Sequence, residues 1–354
     1  MSDKIFMKGT EAVAEAAIRA GCRFFAGYPI TPQNEIPEYM SRRLPEVGGN
    51  FVQGESEVAS INMVIGAAAA GTKALTSSSS PGISLKTEGI SSLAGLELPA
   101  VIINVTRGGP GVGSIQAAQM DYFQATKACG HGGFRMLVYA PSTVQEAVDL
   151  VVTAFDKAEE YQAPMLVCAD GCIGAMMEPV VLPPMREVKP MQYHFYTKEI
   201  WPEDRMIVTS ILSPEENQEK YNMLKAKMYE HWDETECRVE EYMTEDAEVI
   251  LTAYGTSARI AKTAIGNLRR QGYKIGMIRP ITISPFPYGS FDKLNYEKVK
   301  KVLCVEMSIP AQMVEDVRLA VARRAEVTTL LHSAGIIFTS DELEDAVKNL
   351  YGKE

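Results

Sequence analysis

The run Ala100-Val101-Ile102-Ile103-Asn104-Val105 is apolar at odd and even positions alike and rich in β-branched residues. A strand with one wet face alternates, whereas a run apolar on both faces belongs to a parallel sheet covered by helices on each side. Comparable runs recur at Arg23–Ala26, Asn50–Val52, Lys73–Thr76, Arg135–Tyr139 and Met165–Ala169, separated by Ala-, Met- and Leu-rich stretches of helical period. Such alternation means βαβ units, so residues 1–185 are expected to form a doubly wound parallel α/β sheet. The pattern returns more briefly as strands Glu248–Ala253, Lys274–Arg279 and Val299–Val305 with helices Thr256–Gln271 and Pro310–Arg324, a second, smaller α/β domain over 246–354. A chain of 354 residues fits this division at roughly 150 residues per domain.

The intervening region 186–245 holds 8 basic and 14 acidic residues, both tryptophans (Trp201, Trp232) and the prolines Pro190, Pro202 and Pro214. A disordered linker avoids so many aromatic residues. An ordered acidic excursion with a helix near Pro214–His231 is one reading, and a solvated inter-domain connection is the other.

Against 35 Lys and Arg stand 45 Asp and Glu, a net charge of −10 that argues against a nucleic-acid surface, which needs clustered positive charge. No apolar stretch reaches the ~18 residues of a membrane helix, and Met1-Ser2-Asp3-Lys4 leads into no signal-peptide core. A cytoplasmic protein without membrane contact is expected. Six scattered cysteines, with no CxxC pair, read as buried, reduced thiols. Cys168 and Cys172 have ligand-like spacing but no companions, so no metal or iron–sulfur site is expected in this chain.

In open parallel sheets ligands bind beyond the carboxyl ends of the strands, which directs attention to four strand-to-helix loops. In Gly27-Tyr28-Pro29-Ile30-Thr31-Pro32, Thr31 is placed to cap the next helix with Pro32 at its first position, or to meet an anion there. Gln53-Gly54-Glu55-Ser56-Glu57 opens a helix over Val58–Gly71 apolar enough to be buried, which would desolvate Glu57 and incline it to hold a proton. Thr76-Ser77-Ser78-Ser79-Ser80-Pro81-Gly82 is small and hydroxyl-rich, fit for close approach of a ligand or for a tight turn. Thr106-Arg107-Gly108-Gly109-Pro110-Gly111-Val112-Gly113-Ser114 lacks the spacing of a dinucleotide fingerprint. Its Arg107 suits bidentate capture of a carboxylate, or a structural ion pair.

Together and in this order, the loops resemble the 2-oxoacid:ferredoxin oxidoreductases, specifically the alpha-type subunit with the thiamine diphosphate pyrimidine-binding fold. Tyr28–Pro32 matches the YPITP loop of that family, Gly54–Glu57 its glutamate-plus-helix segment, Thr76–Gly82 its Ser/Thr-Pro-Gly loop and Thr106–Pro110 its arginine strand end. Glu55–Ser60 and the SSSSPGISLK stretch are most similar to the branched-chain, 2-oxoisovalerate (3-methyl-2-oxobutanoate) type, with the 2-oxoglutarate type a near neighbour. Gly255-Thr256, Arg279-Pro280 and Val305–Ser308 with Gln312-Met313 resemble the transketolase C-terminal-like domain, but Leu331-His332-Ser333-Ala334-Gly335 departs from the Gly-Arg-Thr-Gly of the family.

The resemblance implies roles. Glu57 would hydrogen-bond N1′ of the aminopyrimidine, so that N4′ removes the thiazolium C2 proton; Thr31 and Arg107 would hold the substrate carboxylate; Tyr28, Pro29, Ile30 and Thr31 would line the cofactor beside Glu57. The Gly-Asp-Gly and later Asn-Asn of the diphosphate and Mg²⁺ site have only Ala169-Asp170-Gly171 as a counterpart. The implied chain therefore carries the pyrimidine half, a beta subunit supplies diphosphate and Mg²⁺, ferredoxin-like and gamma subunits are further partners, and the iron–sulfur clusters lie on other subunits. A 2-oxo acid, coenzyme A and ferredoxin would be the reactants. The alternatives are the same chemistry on 2-oxoglutarate or pyruvate, and a non-catalytic assembly paralogue.

Overall fold

The structure, a computed structural model, describes residues 4–188, 193 and 209–352; Pro190, Trp201 and Pro202 of the acidic region lie outside the described residues. In the first half, β1 (Ile5–Lys8) and α1 (Gly9–Arg19) are followed by β2 (Phe24–Gly27), α2 (Glu35–Glu46), β3 (Asn50–Gln53), α3 (Glu57–Ala69), β4 (Ala74–Ser78), α4 (Ser80–Gly95), β5 (Ala100–Gly108), β6 (Ser114–Ala117), α5 (Tyr122–Thr126), β7 (Val138–Tyr139), α6 (Val144–Tyr161), β8 (Pro164–Asp170), α7 (Gly171–Ala175) and β9 (Met177–Val180). The strand order β3-β2-β4-β5-β8-β7 is parallel throughout. All of β5 is buried, as its unalternating sequence requires. β6 folds back antiparallel on β5, and β1 and β9 form a separate antiparallel ribbon.

The second half contains α8 (Glu215–Thr235), β10 (Val239–Tyr242), β11 (Val249–Thr252), α9 (Gly255–Arg270), β12 (Ile275–Pro280), β13 (Thr282–Ser284), α10 (Tyr288–Asp292), β14 (Lys301–Glu306), α11 (Val314–Val321), β15 (Glu326–Leu331) and α12 (Ser340–Tyr351). Its sheet runs β10-β12-β11-β14-β15, with β10 as the antiparallel edge. The two halves share structure, since β13 adds antiparallel to β7 and one apolar cluster runs from Ile61, Ile102 and Leu166 into Ile250, Tyr254 and Ile278.

In the acidic region, the helix α8 carries Tyr221, Lys225, Met228 and Trp232 on one buried stripe. Trp232 is fully buried, edge-on to Tyr161 and Tyr229 at 5.3 and 5.1 Å. Among the described residues no helix is long and apolar enough to cross a membrane. The six cysteines are free thiols, and burial pushes Cys22 up to about 12 and Cys129 up to about 11.

Three local expectations change. The strand at Arg135–Tyr139 shrinks to Val138–Tyr139, because Arg135 turns away to a bidentate ion pair with Asp233. The helix expected from Pro310 starts at Val314, because the backbone N–H groups of Gln312, Met313 and Val314 all donate to the buried Glu306 carboxylate. Finally, α3 is only half covered: Ser60, Ile61, Val64 and Ala68 face the core, while Val58 and Met63 stand in the open. An apolar helix with no strong moment can be buried all round, but this chain supplies a neighbour for one side only.

Candidate active site

Because β3, β2, β4 and β5 are consecutive and parallel, their carboxyl ends bring the four loops to one edge. Glu57 is the first residue of α3, and Ser56 caps that helix by accepting from Ala59 N at 3.1 Å. The Glu57 side chain is buried, and among the described residues no hydrogen bond reaches its carboxylate. Gly82, in the first turn of α4, packs directly on it. A Cβ there would stand 2.0 Å from Ser78 Oγ and 2.7 Å from Glu57 Oε1, so only glycine admits the carboxylate.

The hydroxyl-rich segment is the end of β4 and the start of α4, with Ser79 as the one residue between them. Thr76 donates to Ala26 O at 2.7 Å and Ser77 donates to the buried Gln33 side chain, tying β4 to the β2 loop. Ser80 accepts from Arg107 N at 3.0 Å and its own N–H donates to Asn104 Oδ1 at 3.1 Å. The Asn104 amide in turn donates to Asp121 at 2.7 Å, a carboxyl that burial pushes above its ordinary range. Ser78 Oγ and Ser79 Oγ, by contrast, are buried with no partner. Buried hydroxyls without partners are uncommon, and these two stand at the carboxyl end of β4.

Arg107 is buried at the end of β5 and acts as a buckle between loops. It donates through one terminal nitrogen to Thr31 O at 2.8 Å and through the other to Val112 O at 3.0 Å, while its Nε is buried without a partner. Thr31 therefore meets Arg107 through its carbonyl, and its side chain is exposed, as are Tyr28 and Pro29; Ile30 is half-buried. Thr31 does not cap α2. That helix starts at Glu35, because Ile30–Asn34 form a turn in which Gln33 N donates to Ile30 O and the Gln33 side chain is drawn inward to Ser77.

Lys86 was not singled out by the sequence reading. It is fully buried on α4, donating to Thr76 Oγ1 at 3.0 Å and to the Glu57 carbonyl at 3.4 Å. The signal was present, since Gly82, Ile83, Lys86, Gly89, Ile90 and Leu93 form one helical stripe with a lysine at its centre.

The tail motifs do structural work at the joint between the halves. Asp170 accepts from Thr256, and Arg279 forms a bidentate pair with Glu146 and a further bond to Glu240. The departing segment Leu331–Gly335 lies against the arginine loop: a Cβ on Gly108 would come within 2.9 Å of Ala334 Cα, and one on Gly335 within 2.2 Å of the Gln116 side chain.

The carboxyl edge of the first parallel sheet thus gathers the buried Glu57 side chain, the unpaired hydroxyls of Ser78 and Ser79 and the Arg107 guanidinium. With the second parallel domain behind it, this is a thiamine-diphosphate-binding fold with a smaller α/β C-terminal domain. A family model described as pyruvate flavodoxin/ferredoxin oxidoreductase, thiamine diphosphate-binding, matches residues 15–244, and one described as pyruvate:ferredoxin oxidoreductase core domain II matches 247–343. The chain belongs to this 2-oxoacid:ferredoxin oxidoreductase family.

It is 46% identical over 314 residues to the ketoisovalerate oxidoreductase subunit VorB of Methanothermobacter marburgensis, covering 89% of each chain. It is 37% identical over 368 residues to the 2-oxoglutarate synthase subunit KorA of Methanocaldococcus jannaschii, covering 97% of this chain and 98% of that one. Among solved structures, 2-oxoglutarate:ferredoxin oxidoreductase from Magnetococcus marinus, with 2-oxoglutarate, coenzyme A and succinyl-CoA bound, superposes with a TM-score of 0.87 at 27% identity. That match covers 98% of this chain and 65% of the other, so this chain spans about two thirds of its length. The relatives are subunits of larger oxidoreductases.

Proposed function

We propose that this chain supplies the aminopyrimidine half of a thiamine diphosphate site in a multi-subunit enzyme. The reaction is the oxidative decarboxylation of 2-oxoisovalerate to the acyl-coenzyme A and carbon dioxide, with the electron pair passing to ferredoxin. The observation that carries this reading is the buried Glu57 side chain packed with Ser78 against Gly82, where the Ser78 and Ser79 hydroxyls have no partner of their own.

When bound, the cofactor supplies the carbanion that attacks the 2-oxo carbon and the electron sink that follows decarboxylation. Glu57 holds a proton at the pyrimidine N1′, a task for which a buried carboxyl side chain at the first residue of α3 is well placed. The Ser78 and Ser79 hydroxyls take the remaining ring contacts. Tyr28, Pro29 and Ile30 form the apolar wall on the β2 side. Arg107, already oriented by two carbonyls, turns its remaining N–H groups to the carboxylate of the 2-oxo acid beside Thr31.

Two features support a site shared with partner subunits. Tyr28, Val58, Met63, Leu85 and Val112 are exposed apolar residues around the same edge, a grouping that calls for a covering surface. Asp170, the counterpart of the diphosphate-site aspartate, is taken up by Thr256. A partner would then bring the diphosphate and Mg²⁺ half, with iron–sulfur clusters on further subunits. Relatedness to 2-oxoglutarate enzymes favours a second reading in which that acid is the substrate. The apolar rim argues for the branched-chain acid, since a second carboxylate would need its own cation.

The test is to assay the full chain co-purified with its partner subunits against 2-oxoisovalerate, 2-oxoglutarate, pyruvate and an aryl pyruvate, with coenzyme A and a viologen acceptor. The expected order puts 2-oxoisovalerate first, and the lone chain is inactive. Turnover by the lone chain with thiamine diphosphate would overturn the shared site, and a preference for 2-oxoglutarate would overturn the substrate.

A further inference from the structure

We propose that Lys86 is the positioning residue for Glu57, a buried ammonium that holds the first turn of α3, and with it the Glu57 carboxylate, in register with the pyrimidine site. The inference rests on the reading of Glu57 given above. Lys86 is fully buried, an arrangement that lysine adopts only with compensation. Two of its three N–H groups are accounted for, one on Thr76 Oγ1 at 3.0 Å and one on the Glu57 carbonyl at 3.4 Å. Thr76 is itself fixed by its bond to Ala26 O, so the ammonium is anchored to β4 on one side and to α3 on the other.

Gly82, one turn before Lys86 on the buried side of α4, lies against the Glu57 carboxylate, so ammonium and carboxylate share one slot without a direct ion pair. Burial pushes Lys86 down to about 8, and the nearby charge of Glu57 opposes this. Two ions in one slot compensate each other, whereas removing either leaves the other buried and uncompensated. The consequence for chemistry is directional. A cation behind the carboxylate makes it a weaker proton trap, so a proton shared with a ring nitrogen stays nearer the ring. Lys86 touches neither cofactor nor substrate in this arrangement; it acts through Glu57.

The experiment uses the full chain co-purified with its partner subunits, as Lys86→Met, Glu57→Gln and the double variant. Infrared difference spectra report protonated carboxyl, assigned to Glu57 by the absence of the Lys86→Met band from the double variant. Calorimetry reports thiamine diphosphate affinity, and chemical denaturation reports coupling. In Lys86→Met, Glu57 is expected to take up a proton at neutral pH and cofactor affinity to fall roughly tenfold or more. The double variant is expected to be less destabilised than the sum of the single ones. An unchanged carboxyl band with additive stability losses would overturn the proposal.

Should Lys86→Met fail to assemble, Thr76→Val removes the hydroxyl anchor and keeps the lysine. It is expected to move band and affinity in the same direction by a smaller amount, and a folded Thr76→Val complex with neither change would equally overturn the proposal. Normal cofactor binding and turnover in Glu57→Gln would sink the reading of Glu57, yet a carboxyl band that appears in Lys86→Met would still establish the coupling.

Discussion

The Asp170 carboxylate, at the end of β8, accepts both the backbone N–H and the hydroxyl of Thr256, at 2.8 and 2.6 Å, and so fastens the start of α9 to the first sheet. Gly255 is left-handed at φ 56°, and a Cβ on it would stand 2.5 Å from Asp170 Oδ2, so the approach depends on glycine. Gln119 reinforces the joint, donating to Tyr254 O at 2.8 Å and accepting from Ser257 at 2.9 Å. Burial raises the Asp170 carboxyl and the Thr256 bonds lower it. Thr256→Val is therefore expected to destabilise the chain by about 1.5–3 kcal/mol, the range for a hydrogen bond to a charged group. A carboxyl held above its ordinary range weakens the fold as pH rises through that range, so the loss should be larger at neutral than at mildly acidic pH. Urea titrations at both pH values check it, and an equal loss at each would mean that Asp170 is not the group affected.

Gly82→Ala separates the site from the fold. The added methyl would meet Ser78 Oγ and Glu57 Oε1, displacing the carboxylate, while alanine improves on glycine in a helix by about 1 kcal/mol. The variant is expected to keep its denaturation midpoint and to lose roughly tenfold or more in thiamine diphosphate affinity, about 1.4 kcal/mol. Calorimetric titration of the co-purified complex measures this, and wild-type affinity would remove Gly82 and Glu57 from the cofactor contact.

Arg107→Lys tests the buckle. A point charge on a flexible stem cannot hold Thr31 O and Val112 O at once, as the planar guanidinium does. The KM for the 2-oxo acid is expected to rise by about tenfold or more with a smaller change in kcat, because binding of the ground-state carboxylate is lost. Steady-state kinetics decide it; a fall in kcat alone would assign Arg107 to the chemical step.

Glu57→Gln retains the shape of the side chain and removes its negative charge. Exchange of the C2 proton of bound thiamine diphosphate into deuterated water, followed by quenched-flow NMR, is expected to slow by about 10²–10⁴-fold, the span of general acid–base contributions. The subunits should still co-purify. Exchange at the wild-type rate would move the role to another group.

The parallel sheets were legible because apolar runs such as 100–105 admit few other environments, and the four loops were legible because parallel order forces their strand ends together. The turn before α2 was not, since the inward pull of Gln33 toward Ser77 depends on a residue 44 positions away. The half-exposed side of α3 was invisible for a different reason: sequence gives the helix its apolar character, but only the packed chain reveals which side lacks a neighbour. Glu306 and Arg279 carry motif-like contexts, yet their charges are consumed internally by backbone amides and by Glu146. Lys86 was legible in principle as a charge inside an apolar stripe. Its meaning required the fold, which sets Glu57 and Thr76 around it.

The buried ammonium makes a signed prediction about pH. Lys86 is held at about 8 in the folded chain, against its ordinary 10.5 once unfolded. Between those values the unfolded chain binds the proton that the folded chain has released, so stability rises with pH across this window. Below about 8 both states are protonated, and the fold bears the strain of the buried charge, eased by Glu57. Wild-type stability measured relative to Lys86→Met should therefore climb by up to about 3 kcal/mol between pH about 8 and about 10.5. Taking the difference cancels tyrosines and cysteines that titrate alike in both proteins. Chemical denaturation at closely spaced pH values gives the curve: a flat difference would place Lys86 in contact with water, and a falling one would mean that the charged form is the one the fold prefers.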